Sequence, residues 1–231
     1  MRPEFPAALR ASIPVLMGYL VLGFAFGLLL STQGLGWSWA LGMSVVIYAG
    51  ALQFAAVGFF AAKAGLVQVA IATLFINIRQ AFYGLSLLKK FADTGWRKPY
   101  LIHALTDETY ALLTTIKPTE GLDEKWFAFF LSMLNHSYWV TGSVLGALAG
   151  NAFHFDTRGV AFSLTALFIV LAMEQYKTRR QILPYVIGAV ASTVALMGVS
   201  SKNMLIVSII LSLVMMFALR SRIEAGGQSD V

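Results

Sequence analysis

The chain has 231 residues, 58% of them hydrophobic and only 12% charged, with a mean hydropathy of +0.74. Soluble domains carry about 25% charged residues, so this balance excludes an ordinary soluble domain and points to an integral membrane protein. The net charge of +6 sits in loops between apolar spans, which reads as topology rather than a nucleic-acid patch, and the absence of cysteine excludes disulfides and thiolate metal sites.

A transmembrane helix needs about 20 mostly apolar residues. That length predicts an all-α, polytopic protein, a single transmembrane domain over 1–231. It has about seven spans, at 13–31, 37–62, 65–88, 126–149, 159–175, 182–200 and 203–220. The opening MRPEFPAALRASIP lacks the apolar core of a cleaved signal. An eighth segment, 100–116, is apolar at both ends but carries His103, Asp107 and Glu108. It fits an interfacial helix, a re-entrant hairpin arm or a short polar span. The tail 221–231, EAGGQSDV with its flank, reads as disordered.

Lys and Arg accumulate in cytoplasmic loops. With seven spans and a cytoplasmic C-terminus, eleven lie inside and five outside, and the N-terminus is external. If 100–116 spans, the count becomes ten against six with the N-terminus inside. A weak repeat favours seven: YLVLGFAFGLLLS from Tyr19 resembles YWVTGSVLGALAG from Tyr138, aligning Gly23 with Gly142 and Gly27 with Gly146. In seven spans these helices run in opposite directions, an inverted 3+3 repeat plus one extra helix, with a site near the midplane. Small-xxx-small pairs also serve simple helix packing.

Arg79 lies near the middle of the third span, and a charge at that depth faces a partner, a cavity or a ligand. Its guanidinium suits bidentate capture of a carboxylate, or pairing with an Asp or Glu as scaffold. On a helix it shares a face with Phe75, Phe82, Tyr83 and Ser86, while Asn77 faces elsewhere, toward a neighbouring helix or a ligand. Gly50 and Gln53 share a face near the middle of the second span, where Gly50 permits either local unwinding or a tight crossing. His103 and Asp107 are four apart, and Glu108 points a quarter-turn away. An embedded carboxylate there pairs with Arg79, gates, or carries a proton, and Thr106-Asp107 also fits a helix cap. Asn135 and Trp139 share a face beside His136, as a cavity wall or an aromatic belt. Glu174 and Gln175 read as interfacial. No catalytic motif, metal set or cofactor motif is present, so the expectation is a non-enzyme without cofactor.

Pro14, the glycines of GYLVLGFAFG, AGALQF, NIRQAFYG, LTDETYALL and NHSYWVTGSVLGALAG together resemble the AzlC family, also called YgaZ-like proteins. The resemblance runs from about Pro14 to the last spans, and Gln80 stands where many relatives are expected to carry His. It implies the large subunit of a bacterial inner-membrane exporter of valine, leucine, isoleucine or methionine, multi-pass, working with a small AzlD-type subunit. On that expectation Arg79 binds the substrate carboxylate and Gln53 with carbonyls near Gly50 takes the ammonium. Asn77, Asn135, Phe54, Phe82, Tyr83 and Trp139 line the site, and Asp107, Glu108 and His103 gate or carry protons. The rival readings are a carrier or channel for another small anionic or zwitterionic solute, and a non-transporting scaffold.

Overall fold

The computed structural model describes residues 2–116, 121–152, 169, 172–173, 176, 181–198 and 204–220, and every regular element among them is helical. In order these are α1 (Glu4–Ser31), α2 (Trp37–Val46), α3 (Gly50–Ala61), α4 (Leu66–Leu87), a 3₁₀ turn (Gly95–Arg97), α5 (Lys98–His103), α6 (Asp107–Thr115), α7 (Glu124–Ala152), α8 (Leu183–Gly198) and α9 (Met204–Ala218). Most of the expected span 159–175, with Glu174 and Gln175, and the tail 221–231 lie outside the described residues. The chain packs as two compact units, residues 1–62 with 74–161, and 63–73 with 162–231. In the second unit α8 and α9 pack on each other. The first unit holds every candidate residue.

Its spine is the pair α1 and α7. Phe5 meets Phe130 at 5.5 Å, the Ser12 and Tyr138 hydroxyls share a 3.0 Å hydrogen bond, and Gly23 and Gly27 face Gly142 to Ala147. Residue numbers rise together along the contact, so the helices run parallel. The similarity of their sequences is therefore real at the crossing, but the opposite directions expected for an inverted repeat are not found. The glycines explain the approach: a Cβ on Gly23 would stand 2.9 Å from the Trp139 carbonyl, and one on Gly142 would stand 2.8 Å from that of Leu20. Small residues let two backbones touch where no hydrophobic force separates helix from lipid.

The expected second span is not one helix. It breaks at 47–49, and α3 folds back on α2. Gly36 lies against Asn151 and the Ser44 carbonyl against His136, so α2 descends along α7 from its C-terminal end. After the break Gln53 reaches Trp139 and Phe54 packs on Phe26, so α3 climbs back. The Gln53–Ser44 hydrogen bond of 3.2 Å fixes this. Nine residues of straight helix would separate them by about 13 Å.

The 100–116 segment is a second hairpin of the same kind, entering from the other end. Trp96 and Tyr100 pack on Phe129, and His103 lies 6.0 Å from His136, so α5 ascends α7. Thr109 then bonds Asn135, and Leu113 joins Phe127 and Leu131 in the core with Ala8, Leu87 and Phe91, so α6 descends. The break at 104–106 also separates His103 from Asp107, which are not neighbours on one helix face as the unbroken reading expected. The remainder of α4 in this unit runs alongside α6, with Arg79 level with Asp107, and Lys90 in the turn after it level with Leu113.

Candidate functional site: the meeting point of two hairpins

The two breaks touch at mid-height. A helix end leaves carbonyls without partners, and at the end of α2 they are taken by imidazoles. His136 Nε2 lies 3.1 Å from the Ser44 carbonyl and His103 Nε2 lies 3.0 Å from that of Val45. A carbonyl only accepts, so each Nε2 donates. His136 Nδ1 is then free to accept from the Tyr100 hydroxyl at 3.2 Å. Tyr48 makes the turn with φ of +41°, a left-handed conformation that a bulky residue adopts only when its surroundings hold it there. Its ring is stacked on His136 at 4.1 Å, and its hydroxyl is buried without a partner.

Gly50 and Gln53 secure the first hairpin. A Cβ on Gly50 would stand 3.0 Å from the Trp139 ring, so any larger residue would push that indole aside by a few tenths of an ångström. Gln53 is fully buried, and both ends of its amide are used: Oε1 accepts from Trp139 Nε1 at 2.9 Å and Nε2 donates to Ser44 Oγ. Phe54 is buried against Phe26.

The second hairpin gathers the polar groups at the start of α6. Thr106 caps the helix, its Oγ1 accepting from Thr109 N at 3.2 Å, as its sequence allowed. The Thr106 and Tyr19 hydroxyls are 2.6 Å apart, and Tyr19 donates to Glu108 Oε2, also at 2.6 Å. Thr106 and Thr109 hydroxyls bond at 3.1 Å, and Asn135 Nδ2 donates to Thr109 at 3.0 Å. The Oδ1 of Asn135 and the Oγ of Ser132 are buried without partners.

Arg79 pairs with Asp107: Nη1 to Oδ2 is 2.7 Å. Asp107 opens α6, where the helix dipole also favours a negative charge. The pair is not sealed, since the two side chains are 40% and 36% exposed. Among the described residues Glu108 has no ion-pair partner, although it adjoins Asp107 in sequence. One carboxylate is thus matched by a cation and the other by the Tyr19 hydroxyl.

Several expected site residues gather here: Arg79, Asp107, Glu108 and Asn135 around α6, and His103, Gly50, Gln53 and Trp139 around the first break. Tyr83 stacks on Tyr110 at 4.3 Å beside α6. Asn77 is half-buried and joins none of these contacts. Phe82 is 63% exposed and does not wall a pocket with Phe54 and Trp139, because its side of α4 faces outward. Tyr19, Tyr48, Thr106 and Thr109 were not foreseen as site residues. Tyr19 was visible only as the first letter of a repeat, and Tyr48 as the residue before the AGALQF motif.

A family profile described as AzlC protein matches residues 14–153. A membrane protein of Helicobacter pylori is 46% identical over 95% of this chain and 96% of its own length. The branched-chain amino acid transport protein AzlC of Bacillus subtilis is 33% identical, over 95% of this chain and 87% of the relative. The inner membrane protein YgaZ of Escherichia coli is 28% identical, over 81% and 80%. No solved structure matches the chain.

Proposed function

The chain belongs to the AzlC family of membrane proteins, and from that premise we propose that it exports branched-chain amino acids across the bacterial inner membrane. The substrates are valine, leucine, isoleucine and methionine, and the working complex includes a small AzlD-type subunit. The observation that carries the reading is the half-open Arg79–Asp107 pair at the junction of two hairpins. An amino acid carboxylate replaces Asp107 on Arg79, and its ammonium is received by Asn135 Oδ1, which is buried without a partner. Gln53 and Trp139, already bonded to each other, hold the α3 hairpin rather than the cargo. Each hairpin opens the junction to the end from which it enters, which gives alternating access with the Val45–His103 contact as the tip-to-tip closure. The test is efflux of labelled leucine from loaded cells producing the chain with its small subunit; export no faster than from empty cells overturns the reading. The ion pair itself favours one rival, a non-transporting scaffold, and the same assay separates the two.

The same hairpins support a six-span topology. Read as not crossing, they leave α1, α4, α7 and the three C-terminal apolar segments of the sequence as spans, with both termini in the cytoplasm. Thirteen Lys and Arg then lie inside, three outside (Lys63, Arg158, Lys202) and Arg79 within the membrane, making up the chain's 17. That bias is stronger than either count available when the hairpins are read as spans or ignored. Single cysteines introduced at Gln33 and Ala62, in a chain with none of its own, are expected to react with impermeant maleimide from the periplasm, both from the same side. Labelling from opposite sides would mean that residues 37–61 cross the membrane.

Glu108 carries the coupling proton. Glu108 bonds the Tyr19 hydroxyl and has no ion-pair partner among the described residues, which leaves it the one carboxylate of the two that is not committed to Arg79. Glu108→Gln is expected to abolish the response of export to an imposed pH gradient while leucine binding persists within about threefold. A preserved pH response would assign the proton elsewhere.

A further inference from the structure

The end of the first unit where α1 and α7 begin carries a cationic feature that transport leaves unused. The Arg2 guanidinium lies 3.9 Å and that of Arg97 lies 4.0 Å from the ring centre of Trp126. The two cationic carbons are therefore no farther apart than those two distances together. Like charges this close repel, and an indole face offsets that only in part. Among the described residues the ion pairs are Arg79–Asp107 and Lys125–Asp93, so no carboxylate serves either arginine. Arg97 Nε donates to the Thr94 carbonyl at 3.2 Å, and its Nη1 is buried without a partner. Among the described residues the pair has no carboxylate bound to it.

Its position says which anion. α1 has 28 residues and α7 has 29. At about 1.5 Å per residue each exceeds the hydrocarbon thickness of about 30 Å, so their first turns lie among lipid headgroups. Beside the arginines runs an aromatic floor: Trp126 contacts Phe129 at 5.8 Å and Phe130 at 5.6 Å, and Phe130 contacts Phe5 at 5.5 Å. A free phosphate would use only the guanidiniums, whereas a phospholipid uses both the guanidiniums and the apolar floor. A zwitterionic headgroup brings a cation toward two arginines; an anionic one does not.

We infer that Arg2 and Arg97 form a binding site for the headgroup phosphate of an anionic phospholipid, its acyl chains lying against Phe5, Phe129 and Phe130. Guanidinium forks match phosphate oxygens bidentately, and on the topology proposed above the cytoplasmic leaflet supplies anionic lipid at this end. The lipid would fix the N-terminal arm and the turn before α5, and so steady the base of the second hairpin.

The test uses the purified full chain in a neutral detergent, titrated with phosphatidylglycerol, phosphatidylcholine or inorganic phosphate. Bound lipid is read by native mass spectrometry and stability by the thermal midpoint. The expected result is at least a tenfold preference for phosphatidylglycerol over phosphatidylcholine, a raised midpoint with phosphatidylglycerol alone, and loss of the preference in Arg2→Gln/Arg97→Gln. Arg10→Gln, which alters an exposed arginine on α1 away from Trp126, should keep the preference. Should the double variant fail to fold, Arg2→Gln decides, since Arg2 precedes α1 and is exposed. An unchanged preference in the decisive variant, equal binding of phosphatidylcholine, or an equal shift with inorganic phosphate would each overturn the site.

Discussion

Gly146→Leu is expected to leave almost no monodisperse protein after extraction in mild detergent, the largest stability effect of any single substitution in the first unit. A Cβ at Gly146 would overlap the Phe24 carbonyl, and one at Gly27 would overlap that of Ser143. Both obstacles are backbone, so neither can swing aside as a long side chain could. The two helices would have to separate along the crossing that carries Tyr19, Trp139 and Asn135. Overpacking by a methylene or two costs about 1–3 kcal/mol in ordinary cores, and leucine adds four carbons at a contact that admits none. Folded proteins hold only about 5–15 kcal/mol in total. Fluorescence-detected size exclusion checks this directly. Gly188→Leu, where a Cβ meets nothing within 4 Å, should elute as wild type, and a normal Gly146→Leu peak would mean the α1–α7 crossing is not formed as described.

Arg79→Gln is expected to reduce leucine efflux about ten- to a hundredfold at matched protein level, the largest functional effect. The reasoning is a competition for one guanidinium. A charge-assisted bond to a partly open site contributes about 1.5–3 kcal/mol, and Asp107 supplies it when no cargo is present. Glutamine cannot replace a bidentate, permanently charged donor, so the carboxylate of the substrate would meet a neutral amide. Asp107→Asn acts differently. It removes the internal competitor and leaves Arg79 open, so binding should strengthen while turnover slows, because the clamp has nothing to return to. Opposite signs on binding for the two members of one ion pair are the signature of exchange. A scaffold pair would instead lose stability equally from either side and change no affinity.

How the sequence related to this site can be traced through particular residues. The helices α1, α4 and α7 were legible because each is a mostly apolar run of bilayer length, and Arg79 stood out because a charge in such a run is costly. The first hairpin was hidden for the same reason. Residues 37–62 are apolar apart from Ser38, Ser44 and Gln53, and the chain turns at Tyr48, an aromatic residue in a left-handed conformation rather than a proline or glycine. Gly50 did mark the place, one possible unwinding among two readings. The second hairpin stood among three alternatives for 100–116, since HALTDET is too polar for a lipid-facing span and too apolar for a loop. Direction was beyond reach: two similar GxxxG helices look alike whether parallel or opposed, and their direction depends on how many segments between them cross. Misreading the hairpins therefore inverted the repeat. The same break undid the expected His103–Asp107 face, because four residues make one turn only where the helix continues. Tyr19 and Thr109 stayed unseen, and Thr106 was read only as a cap, because hydroxyls acquire meaning only from what they bond.

The account turns on Arg79 holding the cargo's carboxylate in place of Asp107. Equilibrium binding of labelled leucine to the purified protein with its small subunit tests that most directly, comparing wild type, Arg79→Gln and Asp107→Asn. The account predicts no measurable binding to Arg79→Gln and binding to Asp107→Asn at least as tight as to wild type. Binding to Arg79→Gln with wild-type affinity, in folded protein, would contradict it.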